Sequence, residues 1–127
     1  MIILHGSSHP ALASSIADRL AYTGKTVPIT TQRFADGEMH VKIERNVRGA
    51  KCYVVQPTCA PGSDAWMELF IILDTLKRAS AAEVTAVLPY YGYARQERKS
   101  KARTPITAKL VANLLVAAGA SRVLTVD

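Results

Sequence analysis

Residues 52–88 read CYVVQPTCAPGSDAWMELFIILDTLKRASAAEVTAVL, and this stretch holds a complete strand–helix–strand unit. Cys52-Tyr53-Val54-Val55 is a short apolar run closed by Gln56-Pro57-Thr58, and Val84-Thr85-Ala86-Val87-Leu88 is a second, closed by Pro89. Runs this short and this continuously apolar suit strands covered on both faces. Between them Pro61-Gly62-Ser63-Asp64 forms a turn and helix cap. Trp66, Leu69, Phe70, Leu73 and Leu76 then fall at helical spacing, and Met67, Ile71 and Ile72 widen the stripe. The spacing predicts a helix over residues 63–79 covered on more than one side. Two apolar strands joined by a helix lie parallel with a right-handed crossover, so the unit sets the fold class as α/β.

The flanks extend the same pattern. Ile2-Ile3-Leu4 reads as a strand, and Ser7-Ser8-His9 is a capping cluster before Pro10. Leu12, Ile16 and Leu20 repeat at helical spacing, predicting a helix over 10–22 with Gly24 as its stop. Residues 26–33 are rich in β-branched side chains and read as one strand, with Pro28 placing it at an edge or marking the strand's start. Met39, Val41 and Ile43 alternate with polar residues, the mark of a half-buried antiparallel strand. After a long polar loop from Tyr90 to Arg103, Thr104-Pro105 caps a helix with Ile106, Leu110, Leu114 and Ala118 on one face. Gly119 ends it, and Arg122–Val126 reads as a last buried strand. The expected order is β-α-β-β-β-α-β-α-β: an open, mostly parallel sheet flanked by helices, with an antiparallel insert near residues 26–43. In such sheets ligands lie beyond the carboxyl ends of the strands, after Leu4, Val55 and Leu88 here.

Composition narrows the function. The chain has 127 residues, 49% apolar and 20% charged, which is ordinary globular usage for one domain over 1–127. No apolar run approaches the length of a membrane span, and the amino terminus lacks a basic leader pattern. The net charge is +6, but residues 95–103 hold Arg95, Arg98, Lys99, Lys101 and Arg103 against Glu97, so +4 of it lies in one loop. That is a local basic segment suited to phosphates, too confined to track a duplex, with too few aromatics for a single-strand platform.

Two loops carry candidate chemistry. In Tyr90–Lys99, tyrosines stand beside arginines and Gln96. Aromatic rings can pack on a base and guanidinium groups grip phosphate oxygens two at a time; equally, the tyrosines can pack the loop onto the body. Phe34-Ala35-Asp36-Gly37-Glu38 sets two carboxylates around a glycine between two strands. By itself this fits a hairpin turn with solvated acids as well as a contact to a base or hydrated metal. The chain has neither a P-loop nor a dinucleotide fingerprint, and Cys52, Cys59, His5, His9 and His40 show no metal-ligand spacing.

With these residues in view, the chain resembles the ribose-phosphate pyrophosphokinase family. The likeness runs through Phe34–Glu38, Asn46-Val47-Arg48-Gly49, Met67-Glu68-Leu69, Leu76–Ser80, Pro89–Lys99 and Pro105–Leu115, and covers essentially the whole chain in order. It implies a phosphoribosyltransferase-like (Rossmann-like) fold, with this chain as the N-terminal one of two similar domains and the C-terminal domain absent. It implies transfer of the diphosphoryl group of ATP to ribose 5-phosphate with Mg²⁺, in a cytoplasmic homo-oligomer with no nucleic-acid or membrane partner. Carried over, Arg95 and Gln96 contact ATP within the subunit, with Lys99 and Arg103 nearby. Phe34, Asp36 and Glu38 reach the adenine of a neighbouring subunit's ATP, with Gly37 shaping the loop. Asp127 becomes the first member of the Mg²⁺ site, and Asn46 and Arg48, with parts of the basic loop, line a regulatory phosphate or ADP site.

The departures matter as much. The chain ends at Asp127, just before a histidine that binds metal-ATP in the family, and the ribose-5-phosphate site belongs to the second domain. No catalytic residue is therefore assigned within the chain. The isolated chain is expected to be inactive, with ribose 5-phosphate a partner only if the missing domain is supplied. The alternative is a half-length, non-catalytic nucleotide-binding or regulatory module that pairs with full-length subunits.

Overall fold

A computed structural model describes residues 1–21, 23–24 and 26–126. The elements are β1 (Ile2–His5), α1 (Pro10–Arg19), β2 (Val27–Pro28), β3 (Thr30–Arg33), β4 (Met39–Lys42), β5 (Lys51–Val55), α2 (Gly62–Arg78), β6 (Glu83–Leu88), α3 (Thr107–Ala118) and β7 (Arg122–Thr125). Five strands form a parallel sheet in the order β2-β1-β5-β6-β7, and β3 and β4 form a separate antiparallel pair. This is the expected mostly parallel α/β architecture with an antiparallel insert.

Strand order explains the layers. The chain moves outward from β1 to β2 in one direction and from β5 through β6 to β7 in the other. Crossovers of one hand then place the helices on opposite faces. On one face α1 packs Ala13 and Ala17 against Ile3 and Val55. On the other, Leu69, Ile72, Leu73 and Leu76 of α2 and Val111 and Leu115 of α3 meet Leu4, Val54, Ala86 and Leu88. Alternate residues of β1 and β5 thus serve two cores, which is why Ile2–Leu4 and Cys52–Val55 are continuously apolar. His9 caps α1, its Nδ1 accepting from the Leu12 N–H at 3.1 Å, with Pro10 in the first turn.

Five expectations are corrected. The helix expected over 10–22 ends at Arg19, because Ala21 enters the left-handed region (φ 49°) before Gly24 is reached. The single strand expected over 26–33 divides at Ile29: β2 pairs with β1, whereas β3 turns away to pair with β4. Thr104-Pro105 does not cap α3; the cap position is Ile106, without a side-chain bond, and Thr104 Oγ1 instead donates to Lys101 O at 2.7 Å. The expected buried strand β7 has every residue exposed, and on α3 it is Val111 and Leu115 that are buried while Ile106, Leu110 and Leu114 stay exposed. That helix is apolar on two faces, and α2 covers one of them. Among the described residues no helix is long and apolar enough to cross a membrane.

Candidate functional site

The carboxyl ends of β1, β5 and β6 open onto one edge of the sheet, and β3–β4 rises from the same edge. The hairpin tip is set by local chemistry. Phe34 N–H donates to Glu38 O, Gly37 N–H donates to Phe34 O, both at 2.9 Å, and Asp36 Oδ1 accepts from Glu38 N–H at 3.0 Å. Gly37 sits at φ 91°, a conformation side chains resist. Arg33 braces the turn from below, donating to Gly37 O at 3.0 Å and to Asp64 Oδ2 at 2.9 Å. Phe34, Asp36 and Glu38 are exposed, so the tip presents one aromatic ring and two carboxylates outward.

The basic loop is built on packing. Trp66 of α2 stacks on Phe70 with centroids 5.6 Å apart and meets Tyr91 edge-on at 5.1 Å. Thr58 N–H and Oγ1 both donate to Tyr90 O, at 3.1 and 3.0 Å, and Thr58 Oγ1 accepts from Gly92 N–H at 2.8 Å. A Cβ on Gly92 would stand 2.6 Å from Thr58 O and 2.9 Å from Trp66 Nε1, so only glycine lets the chain pass here. Tyr93 follows in the left-handed region (φ 70°), and Gln96 is tied to the start of α3: its Oε1 accepts from Thr107 Oγ1 and its backbone O from Ala108 N–H. Burial pushes the Tyr91 phenol above its ordinary pKa, and its hydroxyl donates to Ala108 O at 3.0 Å. Arg95, Gln96, Lys99 and Arg103 are exposed. Among the described residues Arg95, Lys99 and Arg103 enter no ion pair, whereas Arg98 is paired with Glu97. A hollow of about 230 Å³ lined by Tyr90, Tyr91, Tyr93, Ala94, Arg95 and Gln96 lies in this loop.

Between the loops sits a group that sequence reading missed. Glu68 of α2 is 2% exposed, yet among the described residues no cation pairs with its carboxylate. It accepts from Ser7 N–H (3.0 Å), Ser7 Oγ (2.6 Å), Thr31 Oγ1 (2.9 Å) and Gln56 Nε2 (2.8 Å). Four donors from β1's following loop, β3 and β5's end converge on it, replacing the water that a buried carboxylate needs. Gln56 is itself fully buried and accepts from Ser8 N–H at 3.3 Å. A cleft of about 430 Å³ lined by Ser7, Ser8, Thr31, Arg33, Asp64 and Glu68, among others, opens beside them. It lies between β1 and β5, where the strand order reverses direction and open α/β sheets place ligands. The signal was present: Glu68 falls three residues after Ala65 and four before Ile72, on the buried face of α2.

Asn46 and Arg48 lie elsewhere. Asn46 Oδ1 accepts from Arg48 N–H at 3.0 Å in the turn leading into β5, at the amino ends of the strands. Within one chain they and the basic loop occupy opposite edges of the sheet, so these residues do not form one site in a single copy. Asp127 lies outside the described residues, and among those described no three or more His, Cys, Asp or Glu side chains gather as a metal site. Cys52 is core, and burial pushes its thiol up; Cys59 is exposed.

Comparison with known proteins gives this geometry its context. A family model for the N-terminal domain of ribose phosphate pyrophosphokinase matches residues 1–119. The chain is 57% identical over 125 residues to the ribose-phosphate pyrophosphokinase of Caldanaerobacter subterraneus subsp. tengcongensis, covering 98% of this chain and 39% of that relative. It is 52% identical over 126 residues to the ribose-phosphate pyrophosphokinase of Prochlorococcus marinus, covering 98% and 38%. The fold matches the crystal structure of phosphoribosylpyrophosphate synthetase from Mycobacterium smegmatis with a TM-score of 0.93 at 43% identity, over 99% of this chain and 42% of that one. The chain thus spans about two-fifths of the length of the relatives it matches.

Proposed function

The chain belongs to the family of the N-terminal domain of ribose phosphate pyrophosphokinase, and we propose that it is the nucleotide-handling part of an enzyme that moves the diphosphoryl group of ATP to ribose 5-phosphate. The observation that carries this reading is the pairing of unlike loops on one sheet edge. One is aromatic and basic with unpaired cations; the other presents Phe34, Asp36 and Glu38 outward. In this reading Arg95 and Gln96 hold ATP within the subunit, Lys99 and Arg103 add positive charge along its phosphates, and the 34–38 loop meets the adenine of a neighbouring subunit. Diphosphoryl transfer needs positioning and charge neutralisation above all, and exposed guanidinium groups on a packed loop base supply both.

The remaining assignments follow from the same reading. Ribose 5-phosphate is the acceptor in this reading, and residues 1–127 form one nucleotide-binding domain. Asp127, which follows β7 in sequence, would be the residue to hold Mg²⁺, which would supply charge neutralisation on the phosphates. Asn46 and Arg48 serve a regulatory phosphate site completed by another copy, since their own basic loop lies at the far edge of the sheet. A homo-oligomer working in the cytoplasm, without nucleic acid or membrane, fits this arrangement.

The test is nucleotide affinity by calorimetry. Arg95→Ala should weaken ATP binding about tenfold, the value of one charge-assisted contact, while leaving unfolding unchanged. Unaltered affinity would remove the basic loop from the site. Binding that tracks oligonucleotide length and collapses steeply with salt would replace the nucleotide reading with a nucleic-acid one.

A further inference from the structure

We propose that Glu68 is a positioning residue for nucleotide binding: through Thr31 it fixes the direction in which the 34–38 loop is delivered to the neighbouring subunit's base. This rests on the reading above, that the loop contacts ATP across a subunit boundary.

The need for such a device follows from topology. The strands β3 and β4 pair with each other and make no ladder with the five-stranded sheet. Backbone bonds therefore fix the hairpin internally but not its tilt on the body. Its apolar contacts, Val41 in the core with Ile43 packed against it, hold it down without favouring one orientation strongly. Direction has to come from polar bonds, which are sensitive to angle. The Arg33–Asp64 pair is one, but both side chains are about half exposed, 49% and 54%, and water screens it. The Thr31–Glu68 bond is shielded, because Glu68 is 2% exposed.

Glu68 is also anchored on the far side. Ser7 gives it two bonds and Gln56 one, and both residues follow strands of the central sheet. The carboxylate thus transmits the position of the sheet edge to β3. From Thr31 the strand runs on towards Phe34, three residues and about 10 Å away at strand rise. A small rotation at Thr31 is amplified at the tip, and displacements of about 1 Å are costly for binding and positioning. Simple space-filling does not require a carboxylate, since an apolar side chain of similar volume among apolar neighbours is as stable or more so.

The experiment is steady-state kinetics on the enzyme that carries this chain, with circular dichroism to confirm folding. Thr31→Val keeps the shape and the strand preference and removes only the hydroxyl. It should raise KM for ATP about tenfold, with kcat at saturating ATP and KM for ribose 5-phosphate within about twofold, and Thr31→Ser should restore the wild-type KM. Glu68→Gln, whose amide oxygen can keep the Ser7 N–H and Thr31 bonds while its NH2 group meets Gln56 Nε2, should move KM for ATP less than Thr31→Val does. A lowered melting temperature with all kinetic constants unchanged would mean a purely structural role and would overturn the proposal. Phe34→Ala separates the two layers. If it raises KM for ATP and Thr31→Val does not, the loop assignment stands and the positioning role fails. If neither variant moves KM for ATP, both fail.

Discussion

The 34–38 loop and the 90–103 loop rise from the same sheet edge and both rest on α2, but by different physics. The hairpin is tethered by directional polar bonds, Thr31 to Glu68 inside and Arg33 to Asp64 outside. The basic loop is seated by packing: Trp66 beneath Tyr91, and Gly92 pressed against Thr58 and Trp66. Packing fixes position by excluding volume, whereas hydrogen bonds fix it by angle and demand that every donor be answered. The hairpin is therefore vulnerable to loss of a single acceptor, and the basic loop to gain of a single methyl group.

Four perturbations break or sharpen this contrast. Glu68→Ala should have the largest effect, because it strands the buried Gln56 amide, strips the acceptor from Ser7 and Thr31 and leaves a cavity on the buried face of α2; a loss of about 3–5 kcal/mol in urea unfolding is expected. Gly92→Ala should cost about 1–3 kcal/mol, since the added Cβ cannot fit without moving the loop base. Amide hydrogen exchange should show the disturbance at Tyr90–Gln96 and spare the hairpin; equal exchange in both loops would erase the distinction drawn here. A double-mutant cycle on Arg33→Ala and Asp64→Ala should yield a coupling below about 1 kcal/mol that shrinks with salt, as half-exposed pairs do.

The smallest effect concerns pH. Burial raises the Tyr91 pKa in the folded chain, so the unfolded chain loses the phenolic proton first. Stability from this group is intact below the ordinary phenol range and declines as pH climbs through the raised value. The Tyr91–Ala108 link should therefore loosen at alkaline pH, and exchange at the basic loop should accelerate there while Tyr91→Phe abolishes the dependence.

Much of the fold was legible because apolar periodicity and strand breakers act locally. The β5-α2-β6 unit could be read from residues 52–88 alone, and the two loops stood out by side-chain chemistry. The division at Ile29 could not, since the alternation of 26–33 says how a strand is faced but not which partner it meets. Arg122–Val126 reads as core because apolar content does not show whether a neighbour exists to cover it. The outer face of α3 misled for the same reason: Leu110 and Leu114 match Val111 and Leu115 in hydrophobicity, and only α2 decides between them. At the candidate site, Arg95 and Gln96 stood out by type and neighbourhood, whereas the 34–38 turn fitted solvated acids and became a candidate only through the family resemblance. Glu68 was passed over within an apolar stripe, although a charge on the buried face of a helix is itself a warning.

The chain contains one tryptophan, and it is Trp66. Its ring lies 3% exposed between Phe70 and Tyr91, and its buried Nε1–H has no hydrogen-bond partner among the described residues. Indole emission depends on the polarity around that group, so the protein carries its own optical probe at the seat of the basic loop. Blue-shifted fluorescence should mark the seated state, and a red shift would time its lifting in a stopped-flow trace, without any label.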